Sequence, residues 1–487
     1  MHVKEKIMKC SIDYFYEKVF KNEFYSIFLI VMISVLYRIL TATCISSGGD
    51  AFYKWFQVKR WLYGFSFDGW APLYGTWNHH TARWAITFPT FIFQYVFGTN
   101  PIVYYLVVIF FITGATIYLY KIALNIFGLY FAFSTSLLFI FFPVMGTVGS
   151  QLLPSVFSCF YMLASFYFII ILLDKKDSRY VLFSAIMLFF AYSAKITNLF
   201  FIPGYIYILY KTKNFKNIKL FFGILFALFL LENILFYIYS DGNLLFGKIE
   251  CIFNGHLGGN DISFKDKYSI LYFFSRWINL PISWFLLFVI SIPISIYIIF
   301  RRETTKKIKY VVFIYLSFIF FETFAVKSIF PLKIAEPFRS RYLSITIPFM
   351  LLIINYVIIS YIKHLRKKSA LFYIFLIFFI PFMFNGSIFI RNNNVISTYA
   401  YYKKINKYFF EGYKIFFLSK NELYRFVYVF MDDKYIFEKK YVKNYIPILK
   451  TFDDKEFYCI SKCNIKNNNV IIISNNYEIN KFKSYNK

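Results

Sequence analysis

Apolar residues in this chain come in unbroken blocks, each closed by a charge cluster or a turn, and that pattern predicts membrane-crossing helices rather than the short alternations of a soluble core. A crossing needs about 20 predominantly apolar residues to match roughly 30 Å of hydrocarbon. Runs of suitable length fall near 24–46, 101–120, 129–148, 154–173, 180–194, 197–210, 218–240, 281–300, 309–326, 342–361 and 369–390. The expected fold is therefore an all-α polytopic membrane protein of about eleven spans, within residues 1–390. The first run, preceded by Lys4, Glu5, Lys6 and Lys9, has no clear small-residue cleavage site and reads as a retained span.

Cation placement tests this register, because one missed span would invert every later loop. The segments 174–179 (DKKDSR), 211–219 (KTKNFKNIK), 301–309 (RRETTKKIK) and 363–368 (KHLRKK) all fall on one side and are dense in Lys and Arg. The positive-inside rule makes that side cytoplasmic, and the N-terminus shares it. The opposite side receives a long loop at 47–100, a short one near 149–153, loops at 241–280 and 327–341, and the tail. Residues 391–487 are polar, carry β-prone runs such as Val470 to Ile473, and are long enough for a small extracytoplasmic C-terminal domain mixing helix and strand.

Composition then changes little. The chain has 487 residues, 59% hydrophobic and 16% charged, which agrees with a membrane protein. The net charge of +29 would suggest nucleic acid in a soluble domain, but here the cations sit in short interspan loops, so no nucleic-acid partner is expected. The six cysteines lack metal-ligand spacing; Cys459 and Cys463 could pair in an oxidising compartment. No glycine-rich phosphate loop and no Ser-His-Asp grouping is present, so a bound nucleotide is not expected as the energy source.

Candidate chemistry gathers on the outer side. In the first loop Trp55, Trp61, Trp70, Trp77 and Trp84 alternate with Lys, Arg and Tyr, as in amphipathic helices lying in the headgroup plane that meet a lipid-linked substrate, or as in an ordinary aromatic belt. Asp50, after Gly48-Gly49, is placed to act as a general base or to cap the following helix. His79, His80 and Arg83 lie within one polar cluster, WNHHTARW; arginine suits phosphate, whereas an interfacial polar patch is the plainer reading. Ionisable groups in or at the ends of spans are costly and so are candidates: Lys195, Glu232, Glu322 and Lys327. Lys195 is placed to hold a phosphate, although snorkelling also accounts for Lys195 and Lys327. Arg339 and Arg341, beside Tyr342, could clamp an anionic headgroup at a helix start.

Together these motifs resemble the GT-C type membrane glycosyltransferases, specifically the family 39 and ArnT-like group that uses polyprenyl-phosphate sugars. The likeness rests on Asp50 in a long first outer loop, WNHHTARW before a Pro-containing apolar stretch ending in Phe97-Gly98, Gly149-Ser150-Gln151-Leu152-Leu153-Pro154 opening a span, AYSAKITN, and Arg341-Tyr342 with Pro348, over residues 20–390. The resemblance implies a catalytic Asp50 that deprotonates the acceptor, with Lys195, Arg83 and Arg341 around the phosphate, and an inverting displacement. It further implies a polyprenyl-phosphate-sugar donor, an acceptor of unspecified class (lipid, protein or glycan) and a bacterial-type inner membrane. Ala51 follows Asp50 where many relatives carry a second acid, and Ser155 stands after Leu-Pro where an acid is common, so metal dependence stays open. The competing readings are a transporter or flippase of a lipid-linked or anionic substrate, a polymerase or ligase of surface polysaccharide, and a structural membrane protein.

Overall fold

The apolar blocks form helices because a chain in hydrocarbon must satisfy its own backbone polar groups, and a helix does so within one segment. The computed structural model describes residues 22–42, 50–62, 83–239, 282–324, 326–328, 333–334, 343–364, 403–405 and 407, together with five strands of the tail. Among the described residues four helices are long and apolar enough to cross a membrane: α1 (Glu23–Leu40), α4 (Pro101–Phe127), α7 (Pro154–Lys175) and α10, whose helix runs Phe215–Tyr239. Between α1 and α4 lie α2 (Asp50–Leu62) and α3 (Trp84–Phe97); between α4 and α7 lie α5 (Leu129–Phe141) and the short α6 (Pro143–Val148). After α7 come α8 (Arg179–Ala194), a 3-10 turn (Ile196–Phe201) and α9 (Ile202–Lys211); beyond α10 follow α11 (Ile282–Phe300), α12 (Lys306–Thr323), a hairpin of β1 (Val326–Ser328) and β2 (Lys333–Ile334), and α13 (Ile347–His364). Each of the first ten expected spans thus overlaps described helix, with that at 129–148 broken at Phe142 and that at 197–210 beginning as the 3-10 turn, and the run at 369–390 lies outside the described residues. The span expected to reach 326 stops at Thr323, and Lys327 lies in the hairpin.

Packing sorts these helices. The apolar stretch of α7 is 72% buried, between α4 and α8, whereas that of α10 is only 17% buried and turns Phe226, Leu230 and Ile234 outward. Such an exposed apolar face is stable in lipid and not in water. The protein is a multi-pass integral membrane protein. Inside it, short polar side chains bond across helices: the Tyr205 hydroxyl donates to Ser165 Oγ (2.9 Å), and Asn355 Nδ2 donates to Ser134 Oγ and Thr135 Oγ1 (2.8 Å each). Gly204 lets α9 approach α12 closely; a Cβ there would stand 2.9 Å from Ile314 Cα and 2.9 Å from its Cδ1. Gly204→Ala is therefore expected to cost about 1–3 kcal/mol by overpacking, read as a lower melting temperature in detergent.

The contacts also support the register of spans. Asp174 at the end of α7 pairs with Lys307 at the start of α12 (2.7 Å) and accepts from Asn125 at the end of α4 (2.8 Å), so three helix ends assigned to one side meet. At the opposite ends Tyr104 meets Leu152, and Ala85 meets Ser193.

In the tail, β3 (Lys414–Phe417), β4 (Ile448–Phe452), β5 (Lys455–Cys459), β6 (Val470–Ile473) and β7 (Ile479–Phe482) form one mixed sheet in the order β4-β5-β3-β6-β7. Only β3 and β6 run parallel, with Ile415 opposite Ile471. The β-prone run at 470–473 is thus a strand in the sheet interior. Cys459 ends β5, and Cys463 lies outside the described residues.

Candidate active site at one end of the bundle

The first turn of α3 is docked on the last turn of α8. The Ala85 N–H donates to Ser193 Oγ (3.4 Å), and the Tyr161 hydroxyl on α7 donates to the Ala85 carbonyl (3.1 Å). Arg83 occupies the N-cap position of α3, two residues before Ala85, and Lys195 the C-cap of α8, two residues after Ser193. These bonds bring the two cation-bearing turns together, and both side chains are partly exposed. The Lys195 backbone is extended (φ −155°, ψ 120°), which ends the helix and redirects the chain into the 3-10 turn.

Asn198 holds that turn. Fully buried, it donates from Nδ2 to the carbonyls of Ala191 (2.7 Å) and Lys195 (2.9 Å), which also accept the backbone N–H groups of Lys195 and Asn198, so it ties the end of α8 to the 3-10 turn. Both carbonyls keep a backbone partner without it, so the net loss is that of two side-chain hydrogen bonds, about 0.5–1.5 kcal/mol each. Asn198→Ala is accordingly expected to lower the melting temperature in detergent, read in a thermal-shift series against the native chain.

Beside this turn, Leu188, Phe189 and Tyr192 of α8, Leu199 and Ile202, and Phe222, Leu225, Phe226 and Phe229 of α10 line an apolar groove of about 370 Å³. Its walls reach the Lys195 turn, since Tyr192 precedes it by three residues and Leu199 follows it by four. Phe226 is largely and Leu199 partly exposed, so the groove opens on the apolar outer face of the bundle. Glu232, buried on α10, interacts with Tyr192 behind the groove, and Trp84 meets the Phe236 ring edge-on at 5.7 Å. Glu322 is likewise buried, near the end of α12.

Asp50 begins α2, and that helix lies along α3: Gln94 Nε2 donates to the Trp55 carbonyl (3.1 Å). Trp55 is fully buried and meets Tyr104 edge-on at 5.6 Å, so this tryptophan is a packing residue rather than part of a surface belt. Of the expected site residues, the structure brings together the turns of Arg83 and Lys195 and connects the helix of Asp50 to the same α3. His79, His80, Arg339, Arg341 and Tyr342 lie outside the described residues.

Three residues of this region escaped the sequence reading. Tyr161 and Tyr104 look like any aromatic in an apolar span, and nothing in their spacing marks them. Arg38 carried a usable signal, an ionisable side chain near the end of a span. It is 1% exposed, and its guanidinium donates to the carbonyls of Met145 and, at 3.1 Å, Ile140. Among the described residues no three His, Cys, Asp or Glu side chains converge as a metal site would require.

Fold and site together define a polytopic helical membrane protein in which two cation-bearing turns meet at one end of the spans, beside an apolar groove. Residues 81–237, which hold both turns and the groove, match the family model described as dolichyl-phosphate-mannose-protein mannosyltransferase. The fold is similar to that in the crystal structure of ArnT from Cupriavidus metallidurans bound to undecaprenyl phosphate, with a TM-score of 0.52 and 14% identity, over 72% of this chain and 62% of that one. The GT-C resemblance read from the sequence is thereby borne out at the level of fold and of this segment. The match spans less than two thirds of the ArnT chain. No curated protein sequence matches the chain.

Proposed function

We propose that the protein is a membrane glycosyltransferase that moves a sugar from a polyprenyl-phosphate donor to an acceptor at the extracytoplasmic face of a bacterial-type inner membrane. The observation that carries this reading is the meeting of the Arg83 and Lys195 turns at the end of an apolar groove. A donor whose isoprenoid chain lies in the groove presents its phosphate to both cations, and the fold neighbour ArnT was crystallised with undecaprenyl phosphate. In the reaction, an acceptor oxygen attacks the anomeric carbon and gives its proton to Asp50. The bond from that carbon to the phosphate oxygen breaks, and polyprenyl phosphate leaves with the electron pair. Arg83 and Lys195 stabilise the charge that grows on the phosphate, which is how preorganised cations lower such a barrier. Attack opposite the leaving group inverts the anomeric centre. Arg341, with Arg339 and Tyr342, and the pair His79 and His80 complete the proposed donor site. The N-terminus faces the cytoplasm, and residues 391–487, with their mixed sheet, form a separate extracytoplasmic domain.

The test is transfer of labelled sugar by purified full-length chain in nanodiscs, supplied in turn with polyprenyl-phosphate hexoses and pentoses and with mixed lipid and glycan acceptors. Transfer from one such donor, with release of polyprenyl phosphate, supports the reading. Failure with every donor, together with movement of a lipid-linked sugar across a vesicle bilayer, would replace it with a flippase.

A further inference from the structure

Helices α1 and α2 are joined in sequence by residues 41–49, and both connect to the segment 143–153, α1 directly and α2 through Tyr104 of α4. Pro143 follows Phe142, whose extended backbone (φ −60°, ψ 128°) ends α5 before α6 begins. The break leaves carbonyls at the end of α5 without helical partners. Arg38, in the last turn of α1, donates to one of them, Ile140, and also to the carbonyl of Met145 in α6, which accepts the Gly149 N–H as well, so the guanidinium bridges the two helices across the break. The fit is close on all sides: a Cβ on Gly149 would stand 3.0 Å from Arg38 Nη1, and one on Gly146 would stand 3.2 Å from the Tyr37 hydroxyl. Further along the same segment, the Leu152 N–H donates to the Tyr104 hydroxyl (2.8 Å), and the Tyr104 ring, fully buried, meets Trp55 of α2. The segment 143–153 is thus gripped by α1 through Arg38 and, through Tyr104, is in register with α2, whose first residue is Asp50.

A guanidinium buried at the end of a span is costly, and among the described residues no carboxylate pairs with it. Apolar residues of similar volume often serve stability as well as a buried charge does, so stability alone gives little reason for one here. Placement does give a reason, because a general base must stand within hydrogen-bond reach of the proton it takes.

We propose that Arg38 and Tyr104 are positioning residues that hold the 143–153 segment as a clamp and so fix the helix headed by Asp50. This rests on the glycosyltransferase reading for its effect on turnover, but not for its effect on α2.

The experiment uses the full chain in nanodiscs with Tyr104→Phe, Arg38→Lys and Arg38→Met, and with Gly204→Ala as a destabilised control remote from the clamp. Hydrogen exchange of the α2 amides reports the clamp, and kcat and KM for a polyprenyl-phosphate sugar report its consequence. Tyr104→Phe removes one hydroxyl and is expected to speed exchange over residues 50–56 and to lower kcat about tenfold or more, because misplacement on the scale of an ångström carries penalties of that order. Donor KM should stay unchanged. Arg38→Met should do the same, with Arg38→Lys partly restoring both readouts, while Gly204→Ala melts earlier yet keeps native α2 exchange and kcat. Native exchange over 50–56 in Tyr104→Phe would overturn the clamp, even if Arg38→Met fails to fold. So would a fall in kcat that follows melting temperature equally in all variants, Gly204→Ala included. Faster α2 exchange in Tyr104→Phe, in a chain that transfers no sugar from any donor, would uphold the clamp and sink the glycosyltransferase reading instead.

Discussion

Asp50→Asn is expected to lower kcat for sugar transfer by about 10²–10⁴-fold, the usual range for loss of a positioned general base, without lowering the amount of protein in the membrane. The substitution keeps size and polarity and removes only the capacity to take a proton. Asn also caps helices as well as Asp does, so α2, which begins at this residue, should still form. That separates the two readings of Asp50. A base shows as lost turnover with unchanged donor KM and melting temperature; a cap shows as no change in any of them. Measured initial rates of the two chains at matched membrane content decide the matter, and equal rates would remove Asp50 from the mechanism while leaving the enzyme class untouched.

Lys195→Ala and Arg83→Ala are each expected to lower kcat/KM for the polyprenyl-phosphate donor by about 10²–10³-fold, comparable to deleting one preorganised group that stabilises a developing anion. Lys195 has a competing role, since a cation at the C-terminal end of α8 is favourable for the helix. That role amounts to only about 0.3–1 kcal/mol at an exposed site and would appear as a small drop in melting temperature. The double variant discriminates further. If both cations hold one phosphate, the combined loss falls short of the sum of the two in free energy, because neighbouring groups sharing one ligand are not additive. Independent, fully additive losses would mean that the two turns meet without sharing a substrate. Thermal stabilisation by undecaprenyl phosphate gives a second readout that needs no turnover: the native chain should gain it and the double variant should not.

The multi-pass helical class and the positions of the described helices were legible from apolar run lengths. Hydrocarbon thickness and the need to satisfy backbone polar groups constrain sequence directly, residue by residue, with no reference to neighbours. The run Val470 to Ile473 stood out as a strand because β-branched residues favour extended backbone, and the motif containing Ser193, Lys195 and Asn198 could be marked as unusual for a turn between spans. Which helices touch is another matter, because lipid and protein interior are equally apolar and a span's sequence hardly shows which face meets protein. Hence Trp55, readable as a surface residue, is buried against Tyr104. Hence too the contact of Ala85 with Ser193, 108 residues apart, appeared only once α3 was seen docked on α8. Arg38 shows the division most clearly: its charge within an apolar span was visible in the sequence, but its partners are main-chain carbonyls of α5 and α6, and a carbonyl is the same at every position. Sequence alone therefore determined a multi-pass helical protein with its densest cation clusters at one set of helix ends, and tertiary structure decided that the turns of Arg83 and Lys195 meet at the other, beside an apolar groove, and that the helix of Asp50 packs along α3.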